Sequence, residues 1–74
     1  MTREEAIKKL LEENKEFRHY YEKHDELNKL VDKLEKHRPM THELELEIEK
    51  LKKERLYYKD MMEKILQDYM KKNA

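Results

Sequence analysis

A single proline interrupts a chain that contains no glycine, and this constrains the fold more than any other feature. Pro39 lacks a backbone N–H and disfavours helical geometry at Arg38, so a helix is expected to end just before it. Without glycine, the tight turns of a small β-protein are difficult to form. The sequence therefore predicts long helices on either side of one turn near Pro39.

The segment before Pro39 carries apolar residues at helical spacing. Thr2 and Glu5 are placed as a capping box, with acidic residues in the first turn. The pattern runs without a break to His37, which predicts a helix over residues 3–37. Its inward positions, in chain order, are Ala6, Leu10, Glu13, Phe17, Tyr20, His24, Leu27, Val31 and Leu34.

The segment after Pro39 predicts a second helix over residues 42–72, with Thr41 as its N-cap. Its stretch ELELEIE, residues 43–49, alternates as a half-buried strand would, but the chain offers it neither a hairpin partner nor turn residues. In a helical register Leu44 and Ile48 face the partner helix, and Leu46 faces away. The inward positions are Leu44, Ile48, Leu51, Arg55, Tyr58, Met62, Ile65 and Tyr69.

These patterns predict an all-α fold, a single domain over residues 1–74. The short turn at residues 38–41 favours an antiparallel helical hairpin of two long helices, although a proline can also leave two helices splayed or continuous. Two helices bury little apolar surface, and the apolar stripes are wide. We therefore expect two hairpins to pair as a four-helix homodimer, with a marginally stable monomer as the alternative.

Composition narrows the function classes. Charged residues make up 49% of the chain, yet 18 basic and 18 acidic residues cancel, which disfavours a basic arm for nucleic acid. Disorder is the alternative at this charge content, but the helical spacing of the apolar residues favours order. There is no cysteine, no apolar run long enough for a membrane span and no signal-peptide core. We expect a cytoplasmic protein without a membrane partner.

Two stretches resemble the YdcH-like family of small bacterial proteins. The first, FRHYYEKHDELNKLVDKLE, covers residues 17–35, and the second, LKKERLYYKDMMEKIL, covers residues 51–66. The most specific part is LKKERL followed by Lys59 and Asp60, where Tyr58 departs from the usual aliphatic residue. The resemblance covers about two thirds of the chain. It implies an all-helical, hairpin-like fold of unknown function, with no catalytic residues and no cofactor.

Nothing in the sequence indicates an enzyme. The chain has no serine, cysteine or glycine, so it lacks the usual nucleophiles and phosphate-binding loops, and we predict no catalytic residue and no cofactor. His37 and His42 flank the turn beside Glu43, but they lack the spacing of helical metal ligands, and His37 also suits a helix C-terminus. We predict no metal site. His24 is expected to be a partly buried histidine that is hydrogen-bonded to a tyrosine or a glutamate, and its burial is expected to make packing sensitive to pH.

Arg55 is the polar residue of the second apolar stripe. In an antiparallel hairpin it falls near His24, and the nearest acids of the first helix are Glu22, Asp25 and Glu26. Its stem is expected to pack while its guanidinium reaches an acid or a tyrosine face. A role in fixing the register or the partner is the alternative.

The leading hypothesis is a helical protein–protein interaction or structural module that associates with itself or with a protein partner. Its interface is predicted from apolar residues away from the main stripe, which are otherwise ordinary surface residues: Leu46, Leu56, Tyr57, Met61 and Met70. The alternative is a nucleic-acid-binding hairpin that uses the basic and aromatic segment at residues 50–59. Its predicted contacts are Lys50, Lys52, Lys53, Arg55 and Lys59, together with Tyr57.

Overall fold

The computed structural model describes residues 1–73 and contains three α-helices. They are α1 (Arg3–Glu13), α2 (Lys15–Glu35) and α3 (His42–Lys72). The predicted all-α class is confirmed, and the alternating stretch at residues 43–49 is helical. Thr2 and Thr41 cap α1 and α3 as predicted, since their hydroxyl oxygens accept hydrogen bonds from the backbone N–H groups of Glu5 and Leu44 at 3.2 and 3.1 Å.

Helix α2 precedes the turn and α3 follows it, and the two helices pack against each other antiparallel. Near the turn, Val31 of α2 is buried with Ile48 and Leu51 of α3. Further from the turn, Tyr20 lies beside Tyr58, with ring centroids 6.0 Å apart. Leu27, Leu34, Met40 and Leu44 are half-buried against the cluster near the turn. The apolar stripes predicted for the two segments therefore meet in the expected register.

The prediction of one continuous helix over residues 3–37 is wrong at Asn14. This residue has an extended backbone, with φ −114° and ψ 107°, and it separates α1 from α2. Its side-chain Oδ1 accepts a hydrogen bond from the Phe17 N–H at 2.9 Å, so Asn14 is the N-cap of α2. Beyond the break, Arg18 donates to the carbonyl oxygens of Leu11 and Glu12 at 2.7 and 3.1 Å, which satisfies the end of α1.

Helix α1 folds back over α2 and α3 at the end remote from the turn. At its start Arg3 binds the carboxylate of Glu63, and both line a small hollow with Tyr21. At its end Leu10 lines a different hollow with Tyr69. Helix α1 therefore runs in the direction of α3 and opposite to α2. Two long helices are replaced by a three-helix arrangement at this end.

This path explains a buried residue that the apolar stripes did not predict. Leu66 is 2% exposed and packs with Ala6, Leu10 and Phe17 in the larger of two apolar clusters. Leu66 is buried because α1 lies over it. Burial of a leucine side chain contributes about 1.5–3 kcal/mol, so α1 adds substantially to the stability of this end.

The turn also differs from the prediction in detail. Helix α2 ends at Glu35 rather than at residue 37, and the Arg38–Pro39 peptide bond is cis. The Arg38 guanidinium donates to the backbone oxygens of Glu35 and His37 at 2.9 and 3.0 Å.

In residues 1–73, no helix combines the length and the apolar character that crossing a membrane requires.

Candidate functional site

Four residues of α3 form a groove with two residues of α2. The groove, called here the basic groove, has a volume of about 460 Å³. It is lined by His24, Asn28, Lys52, Arg55, Leu56 and Lys59. Three of these carry a full positive charge and none is acidic. The antiparallel packing of α2 on α3 therefore concentrates cationic groups that the balanced composition conceals.

Arg55 lies beside His24, as predicted, but its partner is not an acid. Its guanidinium donates to the Asn28 side-chain oxygen at 2.9 Å. Asp25, one of the three predicted acids, pairs instead with Lys29 at 3.1 Å. Asn28 provides an acceptor and no charge, so the positive charge of Arg55 is not neutralised by this contact.

The other cations of the groove differ in their neighbours. The Lys52 Nζ lies 3.7 Å from the Glu35 carboxylate. In residues 1–73, no carboxylate oxygen lies within 4.0 Å of the charged groups of Arg55 or Lys59. The groove therefore presents two cations, Arg55 and Lys59, that have no paired anion in this part of the chain.

The positive charge of the basic groove affects the pKa of His24. It is half-buried, and its pKa lies below the ordinary value of 6.5, chiefly because burial disfavours the imidazolium and next because Arg55 and Lys59 repel it. The nearby Asp25 opposes the shift. The expected partial burial of His24 is confirmed, but in residues 1–73 its side chain forms no hydrogen bond with a tyrosine or a glutamate.

A second hollow, called here the acidic hollow, lies nearer the turn on the same side of α3. Its volume is about 260 Å³. It is lined by Glu35, Met40, Glu45, Ile48, Glu49 and Lys52. Three carboxylates surround a small apolar floor, and Lys52 borders both hollows. One face of α3 therefore changes from negative to positive charge along its length.

The five basic residues predicted as nucleic-acid contacts do not share one surface. Lys52, Arg55 and Lys59 line the basic groove, whereas Lys50 and Lys53 are exposed and do not line it. The cause is the helical repeat, because successive side chains of an α-helix point in directions about 100° apart. The sequence cluster is thus divided by the geometry of the helix.

The aromatic part of the predicted nucleic-acid surface lies apart from the groove. Tyr57 contacts Tyr58 edge to face, with ring centroids 5.3 Å apart, and Tyr58 contacts Tyr20 and His19. None of these four rings lines the basic groove. The structure therefore does not place the tyrosines where they would stack on a ligand held by Arg55.

The residues predicted for a protein interface are also separated. Leu46, Leu56 and Tyr57 are 53%, 57% and 56% exposed. Leu56 lines the basic groove, while Met61 is half-buried and Met70 packs against the apolar cluster under α1. Leu46 and Tyr57 are eleven residues apart on the opposite side of α3, about 16 Å along the helix. Of these five residues, Leu56 combines high exposure with a place in the lining of the basic groove.

His37 follows the end of α2, and His42 is the first residue of α3. Within residues 1–73, no three side chains among histidine, aspartate and glutamate are grouped so that they hold a metal ion.

Comparison with known proteins gives one match. No curated protein and no solved structure matches the chain. A family model described as "Protein of unknown function (DUF465)" matches residues 17–66. The match begins in the first turn of α2 and ends at Leu66, so it spans the antiparallel pair and the turn, and α1 lies outside it. The chain therefore belongs to this family of unknown function, with which the YdcH-like resemblance is consistent.

Proposed function

We propose that this protein is a helical interaction module that associates with a second copy of itself and catalyses no reaction. The observation that supports this most directly is the exposure of Leu46, Leu56 and Tyr57, each more than half accessible on α3. When another surface covers large apolar side chains and excludes water from them, the complex is stabilised by about 25 cal/mol per Å² of apolar surface buried.

The small core supports the same proposal. Only seven apolar residues are buried within residues 1–73, and they divide into two clusters. Small domains of this kind are often stabilised by association. The mechanism is apolar contact between helices, with charged residues at the edges that set the register and exclude other partners.

Sedimentation equilibrium tests this proposal. We expect the full chain to sediment as a dimer at micromolar concentration, and its thermal unfolding temperature should rise with concentration because association stabilises the folded state. A chain that remains monomeric throughout the micromolar range would contradict the proposal.

A nucleic-acid-binding function is the second candidate, and the meeting of Lys52, Arg55 and Lys59 in one groove favours it. With three phosphate contacts, the association constant would be inversely proportional to roughly the second to third power of the salt concentration. A mobility shift assay with single-stranded RNA and with duplex DNA at two salt concentrations tests it. Binding at low salt that Arg55→Gln removes would support it, and no shift at low salt would exclude it.

A further inference from the structure

The basic groove and the acidic hollow are related by position along α3. Lys52 borders both. Three residues from Lys52 lie Glu49, towards the turn, and Arg55, away from it. Seven residues from Lys52 lie Glu45, towards the turn, and Lys59, away from it. At each of these steps an acid on one side corresponds to a base on the other.

The apolar residues obey the same relation. The fourth residue from Lys52 is Ile48 towards the turn and Leu56 away from it. Ile48 lies in the floor of the acidic hollow, where it is 5% exposed because it belongs to the core near the turn, whereas Leu56 is 57% exposed at the basic groove. The four residues that α3 contributes to one hollow are thus the counterparts of the four that it contributes to the other.

We propose that two copies of this chain dock through this face, antiparallel, with the two-fold axis passing beside Lys52. In this register the acidic half of each face lies opposite the basic half of the other. The acids are Glu45 and Glu49, and the bases are Arg55 and Lys59. A two-fold interface requires a surface that complements itself, and a face that changes sign about its centre does so. This inference rests on the proposed self-association and identifies the surface that carries it.

The charges favour a second copy as the occupant. Arg55 and Lys59 have no carboxylate within 4.0 Å in the described part of the chain, and Glu45 and Glu49 have no basic group within that distance. Docking in this register brings the two unpaired carboxylates of each copy towards the two unpaired cations of the other. The reverse, parallel arrangement would place acids on acids, which costs free energy.

Lys52 is the one residue that faces its own counterpart across the axis. The repulsion between the two ammonium groups is reduced because Glu35 lies 3.7 Å from Lys52 in each copy. Two cations are therefore accompanied by two anions at the centre. This also explains why the long Lys52 side chain, rather than a short one, fits at the axis: its stem packs while its charge reaches the edge.

Helix α1 fits the same register. Eleven residues from Lys52 on one side is Thr41, the N-cap of α3, and on the other side is Glu63, which binds Arg3. The second copy's α3 therefore begins opposite the point where α1 begins. The two elements cover successive lengths of the same face and do not compete for it.

A charge-swap experiment tests the register. One variant is Arg55→Glu/Lys59→Glu and the other is Glu45→Lys/Glu49→Lys, each in the full chain. Each variant alone faces like charges, so we expect its dimer to dissociate at least about tenfold more readily than the wild type. An equal mixture should recover association as a heterodimer, measured by sedimentation equilibrium, while far-UV circular dichroism confirms that each variant is helical.

A cysteine experiment tests the axis and does not depend on charge reversal. The chain has no cysteine. Lys52→Cys places two thiols close together across the axis, and Lys53→Cys, its neighbour, turns the thiol about 100° away. Under mild oxidation we expect Lys52→Cys to form a disulfide-linked dimer at least about tenfold faster than Lys53→Cys.

The outcomes separate this inference from the proposed function. A monomeric wild type overturns both. A dimeric wild type that is unaffected by both charge variants, or that cross-links equally at positions 52 and 53, overturns this register and leaves self-association standing. Recovery in the mixture together with preferential cross-linking at position 52 supports both.

Discussion

Replacing Asn14 with alanine tests the break that separates α1 from α2. The Asn14 side chain accepts one hydrogen bond, from the half-buried N–H of Phe17 at 2.9 Å, and alanine removes that acceptor. Loss of an N-cap of this kind costs about 0.5–2 kcal/mol. Because the Phe17 N–H is partly buried, we expect a value in the upper half of that range.

The expected change is measurable for a chain of 74 residues. About 1 kcal/mol lowers the unfolding temperature of such a domain by roughly 4–8 °C. Urea unfolding followed by circular dichroism gives the free energy, and a thermal scan gives the temperature, both at one fixed protein concentration because association shifts stability. The matched control is Asn14→Asp, which keeps an oxygen acceptor at the cap and should lie close to the wild type.

Alanine also favours helix, so the same substitution tests the fold-back itself. If Asn14 merely interrupted a helix that prefers to be continuous, Asn14→Ala would be as stable as the wild type or more stable, since alanine has the highest helix propensity. That result would refute the reasoning that the cap and the packing of α1 on Leu66 outweigh the continuity of the helix.

The remaining predictions concern charge and the exposed surface. The bond from Arg3 holds the pKa of Glu63 below its ordinary value, so Glu63 contributes stability above pH about 4.5 that is lost as the pH falls through its folded-state pKa; Glu63→Gln should flatten the acid limb of a stability–pH curve, and an unchanged limb would contradict this. The imidazole of His24 should titrate below 6.5 by NMR, and Arg55→Gln should move its pKa back towards 6.5. Since this pKa is lowered, the stability that His24 contributes is complete above pH 6.5 and is lost as the pH falls below that value. Leu46→Glu should leave association unchanged if the interface is centred on Lys52, whereas weakened association with intact helicity would place an interface on the far side of α3.

The elements flanking the turn could be predicted because their signals are local. Thr41 supplies a cap, Pro39 ends the preceding helix within a few residues, and the apolar spacing of α3 continues to its end. These residues act through the backbone of their own neighbourhood. The all-helical fold therefore followed from the sequence without knowledge of long-range contacts.

The break at Asn14 could not be predicted from apolar spacing. Leu10 and Phe17 are seven residues apart, as in one continuous helix, yet both reach the same cluster by different paths. A heptad pattern states which residues face a core and is silent on whether the chain reverses between them. The usable signal was Asn14 itself, because asparagine is among the strongest N-caps and is a weak helix former.

The candidate site was predicted in part. Lys52, Arg55 and Lys59 were identified from their residue types, and their separation from Lys50 and Lys53 follows from the helical repeat. Which of these side chains line a groove depends on the rotation of α3 against α2. The contact of Arg55 with Asn28 could not be predicted, because three acids lie near Arg55 in the predicted register. The placement of the side chains in the packed structure decides between these partners. The acids at residues 45 and 49 were interpreted only through the helix dipole, and their relation to the basic groove required the packed structure.

The fold-back of α1 covers the apolar end of the α2–α3 pair that is remote from the turn. Helical hairpins with open apolar ends can stack on one another without limit, as strands do at an uncovered sheet edge. Here Leu66 and Phe17 are buried under a helix that belongs to the same chain, so these side chains are not available to another molecule. Removing the first fourteen residues would expose that end, and we expect the truncated chain to associate into polydisperse aggregates.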